Sequence, residues 1–340
     1  MTMPKTQPEI PGKEPNMRHF KQAGSTLLAL ALMSTTALAA DSIRLRLDWS
    51  WWAGQTPMIL AKEKGYYDEV DLDVEIAQGQ GSKTTTMVVG ENADPIGHAN
   101  LSTVAQSVSA GVPITAVAGW WQQGPISLIC ADPSIKTPAD VKGKRIGSTP
   151  TGSDGQILPA FLKANGLELT DISLVNMPGD AKFAGIASGQ LDCISGDDYF
   201  YTPQLKAQGK AVSVLKYADW GVTNLGFGIV VNNEYLAQNP DIVKRFLAAT
   251  RKGMEYTFAH KDEAVEIFLK VSGNTQPAEF HRSVLDAYEA SLHTKESAGK
   301  PLGWMAEADW EAMNKTLAEF GSMLGKKEAT AYFSNDHLPQ

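Results

Sequence analysis

The chain has 340 residues, 43% of them hydrophobic and 20% charged, an ordinary globular composition with room for one large or two mid-sized domains. A formal charge of −8 and a pI near 5.3 exclude the basic stripe that a phosphate backbone demands, so nucleic acid is not an expected partner. No low-complexity run or internal repeat stands out.

The stretch MRHFKQAGSTLLALALMSTTALAAD, residues 17–41, has Arg18 and Lys21, an apolar run from Ala23 to Met33, and a small-residue exit at Ala37-Leu38-Ala39. That is the three-part pattern of a secretory signal peptide, and the apolar run is too short to span a bilayer. Residues 1–39 are therefore expected to be a leader, cleaved near Ala39 or Ala40 to leave a periplasmic protein. Met17 is an alternative start to Met1, since the sixteen residues before it are polar and Pro-rich. Cys130 and Cys193 could pair in an oxidising compartment, but they lie in separate apolar runs, SLIC and LDCIS, which favours two buried thiols.

From Asp41 onward strand and helix patterns alternate. SIRLRLDW places Ile43, Leu45 and Leu47 on one face and Arg44, Arg46 and Asp48 on the other, the period of a strand. Thr56-Pro57 opens a helix that Gly65 closes. LDVEIA, DPIGHA and PITAVAGW read as the next strands, with helices from near Ser82 and over LSTVAQSVSAG. A second block repeats the scheme through KRIGS, ISLVNM, LDCISG and VSVLK, and from Glu234 the chain is mostly helical. The expected fold is α/β: two Rossmann-like lobes with parallel sheets, joined by crossings at 128–132 and 227–232. Residues 40–130 and 230–340 would form one lobe and 131–229 the other.

Ligands of open α/β sheets bind beyond the carboxyl ends of the strands, which sets the candidates. Trp49 continues the apolar face of its strand, Trp52 lies deep in the following loop, and Trp120 and Trp121 end a strand on the same rim; opposed rings there would sandwich a flat ligand, or else pack the loop onto its own lobe. On that stacking reading, Trp52→Ala or Trp121→Ala should weaken binding far more than folding. His98 and Asn100 end another strand, although a lone histidine is as readily satisfied locally. Ser148, Thr149, Thr151 and Ser153 belong to STPTGSDG, a loop suited to a backbone nest for an oxygen-rich group or to a plain helix cap. Asp180, Asp197, Asp198, Tyr199 and Asn224 complete the set. Lys83 and Lys182 are the basic residues near strand ends.

Catalytic and metal motifs are missing. GQGSKTTT lacks P-loop spacing, GSDG is not a nucleophile elbow, and the histidines outside the leader do not recur at metal-ligand spacing. The expectation is a binding protein without metal or cofactor, not an enzyme.

Several blocks carry a resemblance: LDW (47–49), ILAKEKGYYDEVDLDVEIAQGQGS (59–82), DPIGHAN (94–100), TPADVKGKRIGS (137–148) and FAGIASGQLDCISG (183–196). In order and spacing the chain resembles the periplasmic substrate-binding proteins of ABC importers with the type II fold, in the branch of SsuA-like sulfonate, nitrate and taurine binders and thiamine-pyrimidine-precursor binders. The resemblance implies an interlobe cleft, hinge closure on a small solute, and delivery to a membrane permease and its ATPase; a monomer is expected. It also implies a pyrimidine stacked on cleft aromatics, with Trp49 at the matching position; Ser50-Trp51-Trp52 depart from the Asn and His usual after it. A flat heteroaromatic solute is the leading expectation, and a sulfonate, nitrate or other small anion held by STPTGS is the alternative. An exported enzyme or a sensor on this scaffold ranks below both.

Overall fold

Ile43 and Leu45 are buried while Ser42 and Arg44 are exposed, and this two-residue period makes the first strand. In this computed structural model, residues 40–320, 323–325 and 327–339 are described; the expected leader lies outside them. The first block comprises β1 (Asp41–Arg46), α1 (Thr56–Glu63), β2 (Leu72–Ala77), α2 (Ser82–Gly90), β3 (Ile96–Asn100), α3 (Leu101–Ser109) and β4 (Ile114–Trp121). The second comprises β5 (Ile126–Cys130), β6 (Arg145–Ser148), α4 (Ser153–Ala164), β7 (Ser173–Asn176), α5 (Gly179–Ala187), β8 (Cys193–Asp197), α6 (Asp198–Ala207) and β9 (Ser213–Lys216). β10 (Phe227–Asn232) precedes the helices α7 (Asn233–Gln238), α8 (Pro240–Ala259), α9 (Lys261–Ser272), α10 (Ala278–Glu289) and α11 (Glu307–Glu319).

The strands form two five-stranded sheets, ordered β2-β1-β3-β10-β4 and β7-β6-β8-β5-β9. The expectation of parallel sheets holds except for one strand in each: β10 runs antiparallel to β3 and β4, and β5 antiparallel to β8 and β9. Both reversed strands arrive from the other sheet with no crossover helix, and parallel entry would need one. The apolar runs expected to be crossings, 128–132 and 227–232, are instead largely these two strands. The chain changes sheets just before each, over 122–125 and 221–226, so Ile126–Cys130 belongs with the second sheet. The two passages pack side by side: a Cβ on Gly124 would lie 1.5 Å from Asn224 Oδ1.

The C-terminal helices return to the first lobe, where α8 and α9 lie along α1, and Gly253 lets α8 approach because a Cβ there would lie 2.5 Å from Pro57 O. They also reach the second lobe, α10 against α6 and α11 against α4.

The expectation of two separate thiols is overturned. Cys130 and Cys193 face each other in the antiparallel register of β5 and β8 and form a disulfide. Neighbouring strands with opposite direction bring together two residues 63 apart in sequence, a pairing invisible to either local pattern. Replacing both cysteines by serine should lower unfolding free energy in urea by about 2–4 kcal/mol, and dithiothreitol should mimic the change.

Candidate functional site

A cavity of about 260 Å³ opens between the carboxyl ends of the two sheets, just below the range of about 300–1,000 Å³ for small-molecule pockets. The first lobe contributes the loop after β1, from Asp48 to Trp52, and Gly81-Ser82 at the start of α2. The second contributes Thr149, residues 152–154, Gly179, Asp180, Lys182, Gly196, Asp197, Phe200 and Tyr201. Phe227, at the start of β10, and Asn274, beyond α9, close the lining.

Asp48 organises the first wall. It is buried, and its Oδ1 accepts from His98 Nδ1 at 2.8 Å and Gln55 Nε2 at 3.0 Å, while Oδ2 accepts from the Trp52 indole at 3.1 Å. These bonds fix the Trp52 ring, under which only glycine fits at position 54: a Cβ there would lie 2.1 Å from the ring. His98 sits behind the wall, stacked on Phe227 with ring centroids 5.4 Å apart. Asn100 is also behind it, capping α3 by accepting from the Ser102 N–H at 3.0 Å. Trp49 is half-buried and faces the other lobe, where a Cβ on Gly179 would come within 2.7 Å of its ring. Trp51 is half-buried too, its backbone N–H donating to Gln78 Oε1 at 3.1 Å.

The expected role of the other tryptophan pair is not what the structure shows. Trp121 is buried with both faces covered, by Tyr199 at 4.2 Å and by Tyr288 at 4.5 Å between centroids. Tyr199 comes from the second lobe, so this stack is an interlobe contact made of the protein's own rings. Trp120 is buried next to Gly303, where a Cβ would lie 2.5 Å from its ring. Neither tryptophan lines the cavity.

The second wall is built on a buried ion pair. Asp154 Oδ2 accepts from Lys182 Nζ at 3.0 Å, from the Thr149 N–H at 3.0 Å and from the Ser148 hydroxyl at 3.2 Å. The nest anticipated in STPTGSDG is thus filled by the protein's own carboxylate. Lys182 also donates to Ser195 O at 2.8 Å. Burial opposes its charge, but Asp154, with Tyr201 and Asp197, outweighs burial and holds the ammonium above the usual lysine range. The cavity's lining therefore carries four carboxylates, Asp48, Asp154, Asp180 and Asp197, and one cation whose charge is already matched. Burial pushes Asp197 up to about 7, with Lys182 working against it and Asp154 adding to it.

Of the residues expected at the site, Trp49, Trp52, Thr149, Ser153, Asp180 and Asp197 line the cavity. His98, Asn100 and Ser148 stand directly behind lining residues. Thr151 closes the seam between lobes: its hydroxyl donates to Gln80 O at 2.9 Å and its carbonyl accepts from the Lys83 N–H at 3.1 Å. Gly81, at φ +116°, is required opposite it, because a Cβ would lie 2.3 Å from Thr151 O. Asp198 pairs with Lys216 at 3.6 Å, and Asn224 packs between the two passages. Asp48, Asp154, Phe200, Tyr201, Phe227 and Asn274 were not anticipated as lining residues, and of the two lysines noted near strand ends Lys182 lines the cavity and Lys83 does not. Among the described residues no group of histidine, cysteine and carboxylate side chains is arranged to hold a metal ion.

Comparison with known proteins gives one family model, NMT1/THI5 like, matching residues 52–264. A formylaminopyrimidine-binding protein of Halalkalibacterium halodurans is 25% identical over 306 residues, 87% of this chain and 92% of that one. The 4-amino-5-hydroxymethyl-2-methylpyrimidine phosphate synthase of Candida albicans is 27% identical over 243 residues, 67% of this chain and 70% of that one. Among solved structures, the alkanesulfonate-binding protein SsuA from Xanthomonas axonopodis pv. citri, bound to MOPS, superposes with a TM-score of 0.67 at 18% identity, covering 88% of this chain and 100% of that one. The two-lobed fold of the periplasmic binding proteins is thereby shared.

Proposed function

We propose that this chain, which belongs to the NMT1/THI5-like family, is the exported receptor of an ABC importer and captures a small neutral or cationic heteroaromatic solute, pyrimidine-like in size, between its lobes. One observation carries this reading: the cavity is walled by Trp49, Trp51, Trp52, Phe200, Tyr201 and Phe227, and its one lysine is spent on Asp154. Aromatic walls reward a flat ring, and unmatched carboxylates reward N–H donors. A sulfonate or nitrate would meet Asp154 where an anion site needs open donors. The relative named for formylaminopyrimidine binding supports the same ligand class.

Binding works through the hinge. A ligand that touches the Trp49–Trp52 wall and the Asp197 wall at once stabilises the closed form by its contacts to both lobes. Opening, by rotation at the passages 122–125 and 221–226, breaks the Thr151–Gln80 seam and the Tyr199–Trp121 stack. The closed complex is then what a permease, powered by its ATPase, accepts. Carriage without chemistry is the favoured activity, although one relative is named a synthase, and both cysteines of this chain are committed to the disulfide.

A thermal-shift panel of pyrimidines, alkanesulfonates and nitrate tests the ligand class. A ligand at 100 times its Kd adds about 2.7 kcal/mol and should raise Tm by a few degrees for an aminopyrimidine, with no shift for the anions. A shift confined to sulfonates or nitrate would overturn the reading, and conversion of the bound pyrimidine, followed by mass spectrometry, would overturn carriage without chemistry.

A further inference from the structure

Asp197 stands apart among the cavity's carboxylates. It holds the N-cap position of α6, where an aspartate ordinarily accepts from the first free N–H groups of the helix, yet it makes no such bond. Its side chain lines the cavity instead, half-buried. Asp48 accepts from three donors and so does Asp154, whereas among the described residues Asp197 receives only the Tyr199 hydroxyl, on Oδ2 at 3.2 Å. Asp180 is exposed at the rim. A carboxyl group with one oxygen uncommitted, in a cavity with aromatic walls, is an unfilled half of a two-hydrogen-bond pair.

We propose that Asp197 is the specificity-determining residue of the cavity and pairs with the amidine-like edge of an amino-substituted nitrogen heterocycle, one carboxyl oxygen accepting from the exocyclic amine while the other shares a single proton with the adjacent ring nitrogen. This rests on the heteroaromatic reading of the cavity and narrows it to heterocycles carrying an amine beside a ring nitrogen. The pair needs one proton, which sits on the carboxyl or on the ring nitrogen. The groups facing Asp197 are Lys182 from α5, Asp154 from α4, Asp198, Tyr199 and Tyr201 from α6, and, near Tyr199, Asp48 from the first lobe. Burial, with Asp154, keeps the Asp197 proton on up to about pH 7 against the pull of Lys182. Above that pH binding must take a proton from solvent, so affinity falls as pH rises.

The test is titration calorimetry with 4-aminopyrimidine and 2-methylpyrimidine between pH 6 and pH 9, on the unaltered protein, Asp197→Asn and Asp197→Ala. The unaltered protein should bind 4-aminopyrimidine at least about tenfold more tightly than 2-methylpyrimidine near neutrality, the worth of a lost paired hydrogen bond. Its affinity for 4-aminopyrimidine should fall about tenfold per unit above pH 7. Asp197→Asn carries one donor and one acceptor in the same places, so it should retain binding and lose the pH dependence; Asp197→Ala, its fold checked by melting, should lose the preference for the amine. If both pyrimidines bind equally, independently of pH and of position 197, the role of Asp197 is refuted while the heteroaromatic reading stands. If neither binds, both fall together.

Discussion

Lys182→Met should lower the stability of the protein by about 3–5 kcal/mol, the cost of leaving a buried carboxylate without its cation. Asp154 would keep the Thr149 N–H and the Ser148 hydroxyl but lose the ammonium that neutralises it. The double variant Lys182→Met, Asp154→Leu should recover most of the loss, because an apolar pair of similar volume removes both charges from the buried site. Urea unfolding of the three proteins at pH 7 measures the pattern. A single variant within about 1 kcal/mol of the parent, as at an exposed ion pair, would mean that Lys182 is not committed to Asp154. The lysine would then be available to an anionic ligand, and the choice of ligand class would have to be reopened.

Trp121→Ala and Trp49→Ala should separate folding from binding. Trp121 lies between Tyr199 and Tyr288, fully buried, so its truncation should cost about 3–5 kcal/mol of stability, part of it from the interlobe stack. Trp49 lines the cavity half-buried and faces Gly179 across it. Its truncation should leave Tm nearly unchanged and weaken binding of a flat heterocycle by about 1–3 kcal/mol, the worth of a stacked base. Melting curves and titrations on both variants check this. Weakened binding with unchanged Tm for Trp121→Ala would return that ring to the ligand, as the sequence alone suggests.

The contrast between the two rings shows where sequence reading stops. Trp49 and Trp52 follow a strand whose period places the loop at its carboxyl end, and the rule for open sheets then puts them on the cavity. Trp121 obeys the same rule, but Tyr288 reaches it from a helix far along the chain and Tyr199 from the other lobe. No local pattern announces either contact. Asp48 reads as the outward face of β1 and is in fact buried, because Trp52 and Gln55 in the turn that follows and His98 on β3 all donate to it. Lys182 reads as a lysine near a strand end, and its pairing with Asp154 on another helix has no local signal. The alternation of strands and helices was legible because each element satisfies its own hydrogen bonds and shows its own apolar face. The two antiparallel strands were not, since direction is set by where the chain re-enters a sheet. That same missing fact hid the disulfide, which depends on β5 running against β8.

An aromatic, carboxylate-lined cavity should take a nitrogen heterocycle and refuse small anions. The most direct measurement is calorimetric titration of the purified protein at pH 7 with 4-aminopyrimidine, and in parallel with ethanesulfonate and nitrate. Saturable one-to-one binding of the pyrimidine, with no heat of binding for either anion, is the predicted result. Saturable binding of ethanesulfonate or nitrate, with none of the pyrimidine, would make the cavity an anion site instead.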